Sequence, residues 1–128
     1  MQTHKSPQKY VLIAEDDRFI ASAYKVKLEK EGFLVRIGID GDQTLEFARK
    51  TKPDLLILDL VMPVKDGFVV LEELKKDIYL KDIPVVVLSN LGQEEDIKRA
   101  LQLGASSYLV KTDTTIDTMV SKVKEYLT

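Results

Sequence analysis

The residues of this chain whose types and placing allow chemistry are Glu15-Asp16-Asp17, Asp59, Ser89 and Lys111. Carboxylates held close together repel one another, and each is costly to keep ionised unless a cation intervenes. An all-oxygen donor set suits Mg²⁺, which keeps several waters while bridging to a phosphate. The chain has no cysteine and a single histidine, His4, so zinc lacks its usual ligands. Lys111 supplies a point charge for a carboxylate or phosphoryl oxygen, and Ser89 supplies a hydroxyl donor. A carboxylate beside Mg²⁺, a lysine and a serine can attack phosphorus and form an acyl phosphate. Phosphoryl transfer asks mainly for positioning and charge neutralisation, which these groups provide.

Each residue has a plainer reading. Asp17 is well placed to cap a helix that begins near Arg18. Lys111 alone reads as a surface lysine, and Ser89 alone as a cap or turn residue. Met62-Pro63 reads as a rigid loop and Asp66-Gly67 as the turn into a helix, while Tyr108 reads as a half-buried strand aromatic. The functional reading draws its strength from where the polar residues fall: each closes a different apolar run.

Those runs set the architecture. Val11–Ala14, Leu55–Leu58 and Val85–Leu88 are continuous apolar segments, as expected of strands buried on both faces of a parallel sheet. Leu34–Ile39 is a weaker strand, interrupted by Arg36 and Gly38, and is placed at an edge; Tyr108–Val110 is a short fifth strand. Helical spacing fills the intervals. Ile20, Ala23, Tyr24 and Leu28 form one stripe that stops at Gly32, and Leu45 and Ala48 mark a second helix after the Asp40-Gly41 turn. Val70, Leu71 and Leu74 mark a third. Ile97, Ala100 and Leu101 mark a fourth, ending at Gly104. Ile116, Met119, Val120, Val123 and Leu127 mark a fifth, with Thr114-x-x-Asp117 as a capping box. The order is (βα)₅, an α/β doubly wound fold with right-handed crossovers. In such open sheets the ligand site lies at the carboxyl ends of the strands, where Glu15-Asp16, Asp59, Ser89 and Lys111 all fall.

Bulk properties narrow the function. At 128 residues the chain fits one domain, and no apolar run approaches the roughly 18 residues needed to span a bilayer. The net charge of −2 lacks the basic excess of a nucleic-acid binder. Residues 1–8 read as a flexible lead-in, where His4 is a solvated tail residue, and residues 9–128 as the folded domain.

Glu15-Asp16, Asp59 within Leu58-Asp59-Leu60-Val61-Met62-Pro63-x-x-Asp66-Gly67, Ser89 and Tyr108-x-x-Lys111 together resemble the two-component response-regulator receiver domain. The likeness is nearest to its single-domain chemotaxis members and runs over nearly the whole chain. It implies a flavodoxin-like sheet of order 2-1-3-4-5. It further implies a stand-alone cytoplasmic switch, phosphorylated on Asp59 by a sensor histidine kinase or histidine phosphotransfer protein. Glu15, Asp16, Asp59 and the backbone carbonyl of Val61 would arrange Mg²⁺. Lys111 would pair with the phosphoryl group, Ser89 would bind it and shift inward, and the rotamer of Tyr108 would follow. The signal would reach a protein target on the face formed by the fourth helix, fifth strand and fifth helix, with no nucleic-acid partner and no membrane insertion. The domain would not be an enzyme, catalysing only its own phosphorylation and dephosphorylation.

Two positions depart from the family pattern. A proline in a cis bond usually follows the lysine, whereas Thr112 stands here; a cis bond before a non-proline residue costs about 3 kcal/mol. A trans Lys111–Thr112 peptide or a reshaped loop is therefore expected, with consequences for the reach of Lys111. Asn90 stands where a small alanine is common, beside the acceptor. Competing readings fare worse. An aspartyl-phosphate hydrolase needs a second acid where Val61 stands, and a dinucleotide site needs a glycine-rich turn where Glu15-Asp16-Asp17 stands. A receiver-like binding module that is barely phosphorylated, or a phosphoryl shuttle, keeps the fold and changes the task.

Overall fold

The computed structural model describes residues 7–128; His4 and most of the lead-in lie outside them. In chain order the elements are β1 (Tyr10–Ala14), α1 (Arg18–Lys30), β2 (Leu34–Gly38), α2 (Gly41–Lys50), β3 (Leu55–Leu58), α3 (Gly67–Lys76), β4 (Val85–Ser89), α4 (Glu94–Gln102), β5 (Ser107–Val110), a 3₁₀ turn at Lys111–Asp113, and α5 (Ile116–Leu127). The five strands are parallel in the order β2-β1-β3-β4-β5. The apolar runs behave as their composition dictates. Every residue of β3 and β4 is buried, while the interrupted β2 is an edge strand with Leu34 and Arg36 exposed. β2 ends at Gly38, one residue short of the sequence expectation.

The sheet separates two apolar layers, and alternate residues of each central strand feed opposite sides. Leu12, Leu56, Leu58 and Val87 pack with α2, α3 and α4 side chains such as Leu45, Leu71, Leu74 and Ala100. Val11, Ile13, Ile57 and Val86 pack with Leu28 of α1 and with Met119, Val120 and Val123 of α5. Arg49 and Lys50 of α2, and Lys75 and Lys76 of α3, sit in the last turns, where a positive charge complements the helix dipole.

Several helix assignments need correction. On α1 the buried small residue is Ala21, and Ala23 faces solvent. Ile20, Tyr24 and Leu28 form an i, i+4, i+8 row, and Ala21 lies one hundred degrees further round on the inner side. Leu101 of α4 is 45 % exposed and Ile116 of α5 is 38 % exposed, so the inward faces rest on Ala100 and on Met119, Val120 and Val123. The cap of α5 is Thr115, whose hydroxyl accepts the Thr118 N–H at 3.1 Å; Thr114 instead donates its hydroxyl to the Val110 carbonyl at 2.7 Å. The capping box at Thr114 is therefore replaced by a simple cap one residue on.

Candidate functional site

Strand ends place the polar residues. Glu15 follows β1, and its backbone N–H donates to the Gly38 carbonyl at 3.0 Å, so it remains pinned to the sheet. Asp59 follows β3, and its N–H donates to the Ala14 carbonyl at 3.0 Å. These bonds continue the ladder one step past the strands and set both carboxylates side by side. Asp17 caps α1 as expected, accepting the N–H groups of Phe19 and Ile20 at 3.0 and 3.2 Å. Asp66 caps α3, accepting the Val69 N–H at 3.0 Å. Gly67, the first residue of that helix, packs where a Cβ would run into the Asp59 carbonyl and the Leu60 Cα, so no larger residue fits without moving the acidic loop. In the same loop Val64 has φ +70°, a strained conformation for a β-branched residue.

Glu15, Asp16 and Asp59 offer carboxylate oxygens that all lie within 4.8 Å of one another. Glu15 and Asp59 are buried and Asp16 is exposed, so the group is closed behind and open to solvent in front. Lys111 bridges the two buried acids: its Nζ donates to Asp59 Oδ2 at 2.8 Å and to Glu15 Oε1. The second Asp59 oxygen, Oδ1, accepts the Val61 N–H at 3.1 Å. An open cleft of about 330 Å³ is lined by Glu15, Asp16, Asp17, Ile20, Asp59, Val61, Asn90 and Lys111.

The electrostatics follow from burial. Desolvation raises the pKa of Glu15, and the Lys111 ammonium only partly opposes it. Burial works against the Lys111 charge as well, but the bonds to Asp59 and Glu15 outweigh it and hold the lysine above its ordinary value. One ammonium serves two carboxylates, which leaves excess negative charge facing the cleft.

The Lys111–Thr112 peptide is trans, since no cis bond occurs among the described residues. The chain leaves β5 through the 3₁₀ turn at Lys111–Asp113, and the lysine still reaches both acids. With threonine where the family has proline, the peptide is trans and Lys111 keeps its contacts to both acids.

Ser89 and Tyr108 stand apart from the cleft lining. Ser89 has no exposed surface, and its hydroxyl accepts the Leu91 N–H at 3.3 Å. The Tyr108 hydroxyl donates to the Leu91 carbonyl, and the half-buried ring packs on the α2–α3–α4 layer. Desolvation raises the Tyr108 pKa. Leu91, which sequence reasoning did not single out, joins these two residues through its backbone. The polar signal of a partner was invisible because a main-chain amide has no sequence signature. Asn90, which stands between Ser89 and Leu91 in sequence, lines the cleft.

Fold and site together define a doubly wound α/β domain with a lysine-bridged carboxylate cleft at the carboxyl ends of its parallel strands. The chain belongs to the response regulator receiver domain family, whose profile matches residues 11–124. It is 36 % identical over 117 residues to the DNA-binding dual master transcriptional regulator RpaA of Synechocystis, covering 91 % of this chain and 48 % of that protein. It is 37 % identical over 117 residues to the transcriptional regulatory protein PrrA of Mycobacterium leprae, covering 91 % and 49 %. The chain thus spans about half the length of these relatives. Among solved structures, the Vibrio cholerae chemotaxis protein CheY4 superposes with a TM-score of 0.87 at 25 % identity, over 94 % of this chain and 99 % of that one. The Mn²⁺-bound form of the response regulator Rcp1 gives a TM-score of 0.82 at 30 % identity, over 93 % and 94 %. No helix among the described residues is long and apolar enough to cross a membrane.

Proposed function

We propose that this chain is a receiver in which Asp59 accepts a phosphoryl group, with Mg²⁺, from a sensor histidine kinase or histidine phosphotransfer protein. The observation that carries the proposal is the Lys111 ammonium bonded to both Asp59 and Glu15 beside an open, negatively charged cleft. An Asp59 oxygen forms the new bond to phosphorus as the P–N bond of the phosphohistidine breaks. The electron pair of that bond leaves with the imidazole nitrogen, which takes a proton. Lys111 stays within reach to neutralise a phosphoryl oxygen, while the Val61 N–H holds the other Asp59 oxygen in place.

The donor set fits Mg²⁺. Three clustered carboxylates without histidine or cysteine form a hard oxygen site, and one ammonium leaves their charge undercompensated. Glu15, Asp16, Asp59 and the backbone carbonyl of Val61 would hold the ion, which when bound supplies further charge neutralisation.

Ser89 and Tyr108 form the responding part of the proposal. Drawing the Ser89 hydroxyl towards a phosphoryl group would break its bond with the Leu91 N–H and disturb the carbonyl that Tyr108 holds. The change would be felt by a protein partner on the α4–β5–α5 face. DNA binding is stated in the name of the Synechocystis relative and belongs to that protein, while the net charge of −2 supports a protein target here. A cytoplasmic location completes the proposal, following from a kinase partner of that compartment.

The test is incubation with Mg²⁺ and a small phosphodonor, comparing wild type with Asp59→Asn. Wild type should gain one acid-stable, base-labile phosphoryl group and the variant none. Equal labelling of the variant would remove Asp59 as acceptor, and no labelling of wild type would remove the proposal.

A further inference from the structure

The two ends of the sheet differ in charge, and each displays apolar side chains to solvent. At the carboxyl ends of the strands, Phe19 is 91 % and Val64 is 71 % exposed, among the exposed carboxylates of Asp16, Asp17 and Asp42. Of the three cations at this end, Lys111 is bonded to Asp59 and Lys65 pairs with Asp42 at 3.2 Å, leaving Arg18.

The helices run antiparallel to the strands, so the last turns of α2 and α3 and the α3–β4 connection share the opposite end. There Ile78 is 85 % and Tyr79 is 54 % exposed. Their turn is rigid: the Asp77 carboxylate accepts the Tyr79 N–H at 2.8 Å and the Leu80 N–H at 3.3 Å, and Leu80 is buried in the core. The Lys52 ammonium lies 5.3 Å from the Tyr79 ring centre, and Lys50, Lys76 and Lys81 stand exposed in the same connections. The acids of these segments are Asp54, Asp77 and Asp82, of which Asp77 lies 3.8 Å from Arg49, so the exposed lysines leave the turn basic.

We propose that the Ile78–Tyr79 turn and its lysines dock on the acidic, Phe19- and Val64-bearing rim of a second copy of this chain, a head-to-tail contact that covers the Asp59 cleft. A second copy is favoured because both halves of the match, opposite charge and exposed apolar side chains, are present on one molecule. The same ends facing their own kind would set like charges together. A rigid turn carrying an aromatic anchor binds with little ordering cost. The contact is heterologous, so each copy uses one end as donor and the other as acceptor. Its small apolar area and exposed ion pairs make it weak and salt-sensitive. By covering the cleft it would compete with any phosphodonor.

The two ends can be disabled separately. Ile78→Glu and Phe19→Lys each change a residue at least 85 % exposed, so the fold should persist, which circular dichroism verifies. Sedimentation velocity at low salt should show wild type growing in mass with concentration, and losing that growth in high salt. Each single variant should stay monomeric. An equimolar mixture of the two should form a one-to-one dimer, since each retains the end the other lacks. Monomeric wild type at every concentration would overturn the proposal. So would self-association that survives in both variants, because that would place the contact on another face.

Discussion

Lys111 and Ser89 both stand at carboxyl ends of neighbouring strands, β5 and β4, yet they serve different neighbourhoods. The lysine crosses to Asp59 and Glu15 and borders an open cleft. The serine has no exposed surface and is tied through Leu91 to Tyr108. The difference teaches that one edge carries two devices. One concentrates negative charge where a phosphoryl group would arrive, and the other keeps a hydroxyl and an aromatic in a satisfied resting arrangement outside the cleft lining. Asn90 is the only residue between them in sequence that lines the cleft.

The largest expected effect breaks the first device. Lys111→Ala strands two nearly buried carboxylates without their cation, and losing one partner of such a group costs about 3 kcal/mol. Urea melts should show that loss at neutral pH and its reduction in acid, where Glu15 with its raised pKa takes up a proton. Next comes the metal. Mg²⁺ at about tenfold over its Kd should stabilise wild type by about 1.4 kcal/mol, an increment that a chelator removes and that Asp16→Asn diminishes. Thermal melts in both conditions measure it.

Tyr108→Phe sharpens the comparison from the other side. It removes one bond to the Leu91 carbonyl, worth about 1 kcal/mol, and should leave phosphoryl acceptance by Asp59 intact. A large loss of acceptance would mean the two devices are one.

The smallest effect lies outside both. Lys124 of α5 bonds Glu31 at the end of α1, and that hydrogen bond holds the Glu31 carboxyl below its usual pKa. A depressed carboxylate stabilises above the ordinary value of 4.5 and loses its contribution as pH falls through the folded-state pKa. Glu31→Gln should therefore flatten a slight acid slope in the melting temperature and leave the cleft unchanged.

Legibility in the sequence divides along the same line. Strands buried on both faces are continuous apolar runs, so Glu15, Asp59 and Ser89 stood out as the polar residues that end β1, β3 and β4, while Lys111 follows the half-buried edge strand β5. Strand order came from resemblance, since periodicity carries no pairing information. The helices were read less well where apolar residues crowd adjacent positions. Ala21 and Ala23 are equivalent in composition, and only packing against the sheet chooses between them. Leu101 and Ile116 fit the spacing but lie on the outer margin of their faces. Leu91 was missed because it acts through its backbone, and the reach of Lys111 could not be read because it depends on the loop that Thr112 permits.

Amide NMR spectra of the wild-type domain in Mg²⁺, before and after a small phosphodonor, test the central claim most directly. The account predicts that Val61, beside Asp59, and Leu91 and Tyr108, in the group outside the cleft lining, shift together, and that Asp59→Asn shows none of these changes. Unchanged spectra in wild type, or the same shifts in Asp59→Asn, would contradict it.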